Sequence, residues 1–214
     1  MTLTDISRRL NLRHNDAKRR GAKYAVTLPR LILMTDAKRL PDPLPLAAQL
    51  PRGSAVILRH YEDPKRDLLS RSLATLCKKR RVRLLVAGDA RLALKIGADG
   101  LYLPETQIVH GPNIWRCWRR PSWIIIAAAH SRSALWRAKR AGADAALLSP
   151  VFKTDSHPQA RQLGPLLFLS LSHKSPLPVY ALGGVNAANA ARLVAGGCAG
   201  IAAIGGFLKN SKGG

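Results

Sequence analysis

The chain is short of acids, cysteine, aromatic residues and long apolar runs, and each shortage closes off a class of protein. Only 12 Asp and Glu stand against 35 Lys and Arg in 214 residues, a formal charge of +23. The resulting field attracts polyanions, so nucleic acid and anionic membranes enter as partners to be weighed. Cys77, Cys117 and Cys198 are odd in number and widely spaced, which suits neither a disulfide framework nor a zinc site and leads us to expect a reducing cytoplasm. No run approaches the roughly 18 apolar residues that span a bilayer; the longest, Trp123 to Ala129, has the length of a strand, so no membrane insertion is expected. Arg8, Arg9 and Arg13 interrupt the N-terminal region before the apolar core of a signal peptide forms. The few aromatic residues form no RNP-like sequence, and no zinc-finger spacing or basic heptad array is visible to turn charge into recognition.

What is present is a single-core composition, 47% hydrophobic, in a length that one α/β barrel can fill. Short apolar runs read as strands at Leu31–Thr35, Ala55–Arg59, Arg83–Ala87, Gly100–Leu103, Trp123–Ala128, Ala145–Ser149, Pro178–Leu182 and Gly200–Ile204. Between them, apolar residues recur at helical spacing, as in Leu68, Leu69, Leu73 and Leu76, or Ala188, Ala191, Leu193 and Val194. Eight such units predict a single-domain (β/α)8 TIM barrel over residues 31–214. Pro41, Pro43, Pro45 and Pro51 predict a short or distorted first helix. Gly-Ala-Asp occurs at Gly97–Asp99 and Gly142–Asp144, where a helix ends on glycine and a buried strand begins. Residues 1–30 read as a basic N-terminal helix or arm, with Asp5 as its cap and Ile6, Leu10 and Leu12 on its apolar side.

Two glycine doublets, Gly183-Gly184 and Gly205-Gly206, follow the last two strands. Barrels of this kind commonly bind phosphate there, because glycine lets backbone N–H groups approach the oxygens; the plainer reading is that the doublets only end strands. Chemistry in such a barrel belongs to the C-terminal strand ends. There Arg59 can fork two phosphate oxygens. Asp89 either caps the next helix or helps to hold Mg²⁺. His130 brings an imidazole that either moves a proton on a heteroaromatic substrate or bonds within its loop. Lys153, Thr154 and Ser156 form a polar loop that either closes over an anion or is an ordinary connection. The basic clusters Arg19-Arg20, Lys78–Arg81, Arg119-Arg120 and Arg137 with Lys139-Arg140 are read as solvated faces. Trp115, Trp118 and Trp136 lie among arginines, where they either cover the core or stack on bases.

Taken in order, Leu33-Met-Thr-Asp36, Leu58-Arg59, Leu92–Gly100, Ala129-His-Ser131, Gly142-Ala-Asp144, Ser149-Pro-Val-Phe-Lys-Thr154 and Ala181-Leu-Gly-Gly184 resemble the thiamine phosphate synthase and TenI superfamily over about Leu31 to Phe207. The resemblance implies one of two reactions. Synthases couple a pyrimidine diphosphate to a thiazole phosphate with release of diphosphate and a need for Mg²⁺, whereas TenI-type proteins include thiazole tautomerases. It further implies that Arg59 contacts the diphosphate, Asp89 is a magnesium ligand, Thr154 and Ser156 line the closing loop, and both doublets hold the thiazole phosphate. The departures are equally specific. Ile57-Leu-Arg-His-Tyr61 lacks the expected diphosphate lysine, Gly88-Asp89 replaces Asn-Asp, and Gln107 stands where a second metal aspartate is expected, with Glu105 as the nearest substitute ligand. The closing lysine of the sixth loop is replaced by His157 or displaced to Lys153. The reading taken is a divergent synthase, coupling hydroxymethylpyrimidine diphosphate with thiazole phosphate; the alternatives are a tautomerase using His130 and a non-catalytic protein that binds thiazole phosphate or polyanions.

Overall fold

The computed structural model describes residues 2–9, 27–109, 115–154, 159 and 161–208. Eight parallel strands close into a barrel in chain order: β1 (Leu31–Met34), β2 (Ala55–Leu58), β3 (Arg83–Ala87), β4 (Gly100–Leu103), β5 (Ile124–Ala129), β6 (Ala145–Leu148), β7 (Val179–Ala181) and β8 (Gly200–Ala203). Every expected strand is present. Nearly all of their residues are buried, as strands covered on both faces must be, which is why the sequence shows continuous apolar runs rather than alternation. β8 returns to β1 with Leu31 opposite Ile201, and this pairing removes the sheet's open edges.

The helices form the outer layer. They are α1 (Leu3–Arg9), α2 (Leu44–Gln49), α3 (Arg66–Arg80), α4 (Ala90–Lys95), α5 (Glu105–Val109), α6 (Trp115–Trp118), α7 (Arg132–Ala141), α8 (Gly164–His173) and α9 (Gly205–Leu208), with a 3₁₀ helix at Ala190–Gly196. The proline-rich first connection does yield a short helix, six residues long, entered through Pro43. In α1 it is Thr2 that caps: its Oγ1 accepts the Asp5 amide at 3.2 Å while Asp5 Oδ2 accepts the Thr2 amide at 2.9 Å, so Asp5 is the reciprocal member of a capping box. Leu3 and Ile6 are buried, and α1 packs against the 3₁₀ helix and β1. Leu10 and Leu12 lie outside the described residues.

The two Gly-Ala-Asp turns solve one geometric problem twice. Gly97 (φ 65°) and Gly142 (φ 85°) carry the left-handed conformation that ends α4 and α7. The aspartate then locks onto the strand before: the Leu84 amide donates to Asp99 Oδ2 at 2.8 Å, and the Ile125 amide donates to Asp144 Oδ2 at 2.8 Å. The same two aspartates donate their own amides to Leu84 and Ile125 carbonyls. Each carboxylate thus satisfies the amide of a buried residue at a strand entry.

Replacing Asp99 by Ala strands the amide of buried Leu84, so urea unfolding should show a loss of about 1–3 kcal/mol. A change under about 0.5 kcal/mol, the range of an ordinary surface substitution, would show that the turn does not depend on this bond.

Candidate functional site

The C-terminal ends of the strands surround a cavity of about 950 Å³. Arg59, Glu105, His130, Thr154 and Gly183 all line it, together with Met34, Tyr61, Tyr102 and Ile204. Five of the residues singled out from sequence are therefore brought to one place by five different strand ends. Arg59 is fixed from below: its amide donates at 2.9 Å to Thr35 Oγ1, which also meets Nδ1 of buried His60 at 2.9 Å. No carboxylate lies within ion-pair distance of the Arg59 guanidinium among the described residues. Burial pushes the Tyr61 phenol above its usual range, with Arg59 opposing the shift, and pushes Tyr102 further still. Both phenols are neutral hydrogen-bonding groups in the wall. The buried thiols of Cys77 and Cys198 are pushed by burial up to about 12 and about 11, so neither supplies a thiolate nucleophile.

His130 has a defined tautomer. Its Nδ1 lies 2.9 Å from the Ser149 carbonyl oxygen, which only accepts, so Nδ1 carries the hydrogen and the neutral ring keeps its lone pair on Nε2. Nε2 stands 4.0 Å from Glu105 Oε2. Glu105 is in turn held by Arg137 of α7, whose Nη2 donates to Oε1. The result is an imidazole at the cavity wall with a positioned carboxylate on the side of Nε2, the nitrogen able to take a proton, where it can stabilise the imidazolium.

The glycine doublets prove to be neighbours. At Gly183 (φ 91°) a Cβ would lie 2.7 Å from Pro150 Cα, and at Gly184 (φ 65°) it would lie 2.2 Å from the Lys153 carbonyl oxygen. A Cβ on Gly206 would lie 2.3 Å from the oxygen of Val185, the residue after the first doublet. The carbonyls of the first doublet are used internally: Gly183 accepts the Phe152 amide at 3.0 Å, and Gly184 accepts Asn189 Nδ2 at 2.9 Å. Among the described residues nothing accepts the Gly183 or Gly184 amides. Gly205 opens α9, whose first amides have no acceptor within the helix. Lys153 is exposed on the same loop as Thr154, and Ser156 and His157 lie outside the described residues.

The carboxylates expected at magnesium are placed differently. Asp89 caps α4, accepting the Leu92 amide at 2.9 Å, and its other oxygen pairs with Arg66 at 3.4 Å. Asp89 does not line the cavity. Glu105 is engaged by Arg137, and Gln107 donates Nε2 to the Gly88 carbonyl at 2.9 Å. No group of three metal-ligating side chains occurs among the described residues. A divalent ion needs several oxygen ligands free of competing cations; an arginine on each carboxylate supplies the opposite environment. These residues do not fit Mg²⁺. Sequence reasoning missed Arg66 and Arg137 because nothing in the pattern separates them from the many arginines that only solvate helix faces.

The family model for thiamine monophosphate synthase matches residues 30–207. A putative thiamine-phosphate synthase 2 of Aquifex aeolicus is 35% identical over 187 residues, covering 85% of this chain and 99% of that one. A thiamine-phosphate synthase of Thiobacillus denitrificans is 30% identical over 198 residues, covering 86% and 85%. Among solved structures, the thiamine phosphate pyrophosphorylase of Pyrococcus furiosus superposes with a TM-score of 0.69 at 26% identity, over 82% of this chain and 85% of that one.

Arginine pairing at both carboxylates sets a clear expectation for metal binding. Titration of Mn²⁺ followed by electron paramagnetic resonance should leave the ion free in solution at neutral pH. A stoichiometric site that Asp89→Asn abolishes would overturn this reading of the rim.

Proposed function

Because the chain belongs to the thiamine monophosphate synthase and TenI family, we propose that it acts in thiamine biosynthesis on a thiazole phosphate, and that its chemistry is a proton transfer by His130. The observation that carries this reading is the His130 tautomer, with Nδ1 held by the Ser149 carbonyl and the bare Nε2 beside Glu105 at the cavity wall. In this reading the phosphate rests on the amides of Gly183-Gly184 and Gly205-Gly206, with Thr154 and Ser156 from the neighbouring loop. Arg59, across the cavity, supplies the cation that a second anionic group of the substrate meets. Nε2 takes a proton from the heteroaromatic ring system, Glu105 stabilises the imidazolium, and the same nitrogen returns the proton at another position. The net change is an isomerisation that consumes no co-reactant. No step is routed through Mg²⁺, since Asp89 and Glu105 are both engaged by arginine.

A second reading is coupling of hydroxymethylpyrimidine diphosphate to the thiazole phosphate, and the names of the relatives favour it. The departing diphosphate would then fall to Arg59 and nearby backbone amides, a weaker grip than a metal provides. Retention of the phosphate cradle without either turnover would correspond to the binding-protein reading.

Two assays separate these outcomes. A thiazole carboxylate phosphate incubated in D₂O should acquire deuterium, followed by proton NMR, and His130→Ala should slow this by about 10²–10⁴-fold while leaving phosphate binding intact. An unchanged exchange rate in His130→Ala removes the tautomerase reading. Formation of thiamine phosphate from the two coupling substrates, insensitive to His130→Ala, replaces it with the synthase.

A further inference from the structure

All four tryptophans of the chain fall between Trp115 and Trp136, and residues 115–141 carry seven Lys or Arg and no acid. The fold gathers part of this segment into one surface. The inner face of α7 is Ala134, Leu135, Ala138 and Ala141, all buried, which turns Arg132, Trp136 and Arg140 outward at successive helical turns. Trp136 is 45% exposed and forms a shallow depression with Arg132, Ser133 and Arg140. Arg116 of α6 extends the strip by donating to the Arg140 carbonyl at 3.0 Å, while its guanidinium lies over the Trp115 ring at 5.8 Å. Arg132 and Arg140 have no ion-pair partner among the described residues.

The face presents an exposed indole between two arginines that have no ion-pair partner among the described residues. The combination matches the two needs of a single strand: cations spaced along a phosphate backbone and a flat ring on which an unpaired base stacks. Duplex DNA hides the faces of its bases, so stacking selects single strands. Long-lived single strands in cells are RNA, whose loops and ends are recognised by this kind of aromatic and arginine stacking. We propose that the outer face of α7, from Arg132 through Trp136 to Arg140 with Arg116 beside it, is a docking surface for single-stranded RNA, independent of the chemistry in the barrel mouth. Backbone cations supply the attraction and Trp136 supplies the preference for unpaired bases. Affinity should therefore fall steeply with salt.

The test is fluorescence anisotropy of a labelled oligouridylate with the full chain at low salt. Binding is expected in the micromolar range, about 10⁻⁶ M at low ionic strength, and weaker as salt rises. Trp136→Ala should weaken it by about tenfold, Trp136→Phe should retain it, and Arg132→Glu with Arg140→Glu should reduce both affinity and salt slope. Circular dichroism confirms that these surface variants fold. The proposal is overturned if Trp136→Ala binds like the parent. It is equally overturned if charge reversal at Lys78 and Lys79 on α3 costs as much as reversal on α7. Equal affinity for duplex DNA, or loss of the bound oligouridylate to vesicles of anionic phospholipid, would assign the surface to another partner.

Discussion

Closure of the barrel between β8 and β1 is the constraint on which the other features depend. The Ile201 amide donates to the Arg30 carbonyl at 3.0 Å, and a Cβ on Gly200 would lie 2.3 Å from that same oxygen. Only glycine lets the last strand enter so close to the first. Tyr180 of β7 fills the space beside it, 2.7 Å from the same hypothetical Cβ, and its hydroxyl donates to the Pro29 carbonyl at 2.6 Å. That bond ties the penultimate strand to the chain entering the first one, 151 residues earlier. At the opposite end of these strands the backbones remain close, and that is where the two doublets meet. The glycine doublets and the seam are thus two ends of one tightly packed wall.

The rim opposite the seam is governed by charge pairing. Arg66 and Arg137 come from helices, reach the strand ends, and neutralise Asp89 and Glu105. A partly buried pair of this kind holds position better than it stabilises, because removing either partner leaves the other charge without compensation. Its consequence for chemistry is selective. Glu105 is oriented with one oxygen on Arg137 and the other toward His130, while Arg59 has no carboxylate within ion-pair distance among the described residues. The geometry leaves that guanidinium without a carboxylate partner and sets a positioned carboxylate beside His130.

Strands, barrel order and the residues of the cavity wall were legible in the sequence because each follows from local pattern: buried parallel strands read as apolar runs, and the residue after each run reaches the mouth. Arg59, His130 and Gly183 were placed at the cavity wall on that ground alone. The Asp89 cap was legible as one of two alternatives, since an aspartate before a helix has the same local signature in either role. The pairing of Glu105 with Arg137 was not legible, because 32 residues and the whole of β5 separate the partners and only the barrel closes that distance. The reciprocal role of Thr2 was missed for a smaller reason: Asp5 was the stronger capping residue, and position within the first turn decides which member of a capping box caps.

Scarcity of acid, which marks the sequence most strongly, has a structural logic of its own. Ten of the twelve acids lie in the described residues, and nine of these, all but Glu62, hold a backbone amide or a cation: Asp5, Asp36, Asp42, Asp63, Asp67, Asp89, Asp99, Glu105 and Asp144. Acids have been kept where a cap, a turn or a pair needs a carboxylate, and are nearly absent where they would only face water. An ordinary soluble surface intersperses both signs, since excess charge of one sign repels itself across the compact state. A surface stripped of acids while its structural carboxylates are retained carries that repulsion everywhere and gains attraction for polyanions in return. An anion in the mouth would not account for this, because Debye screening over about 8 Å at physiological salt hides the far side of the barrel from the cavity. The outward charge is therefore a property of the barrel's surface separate from the charge at its mouth.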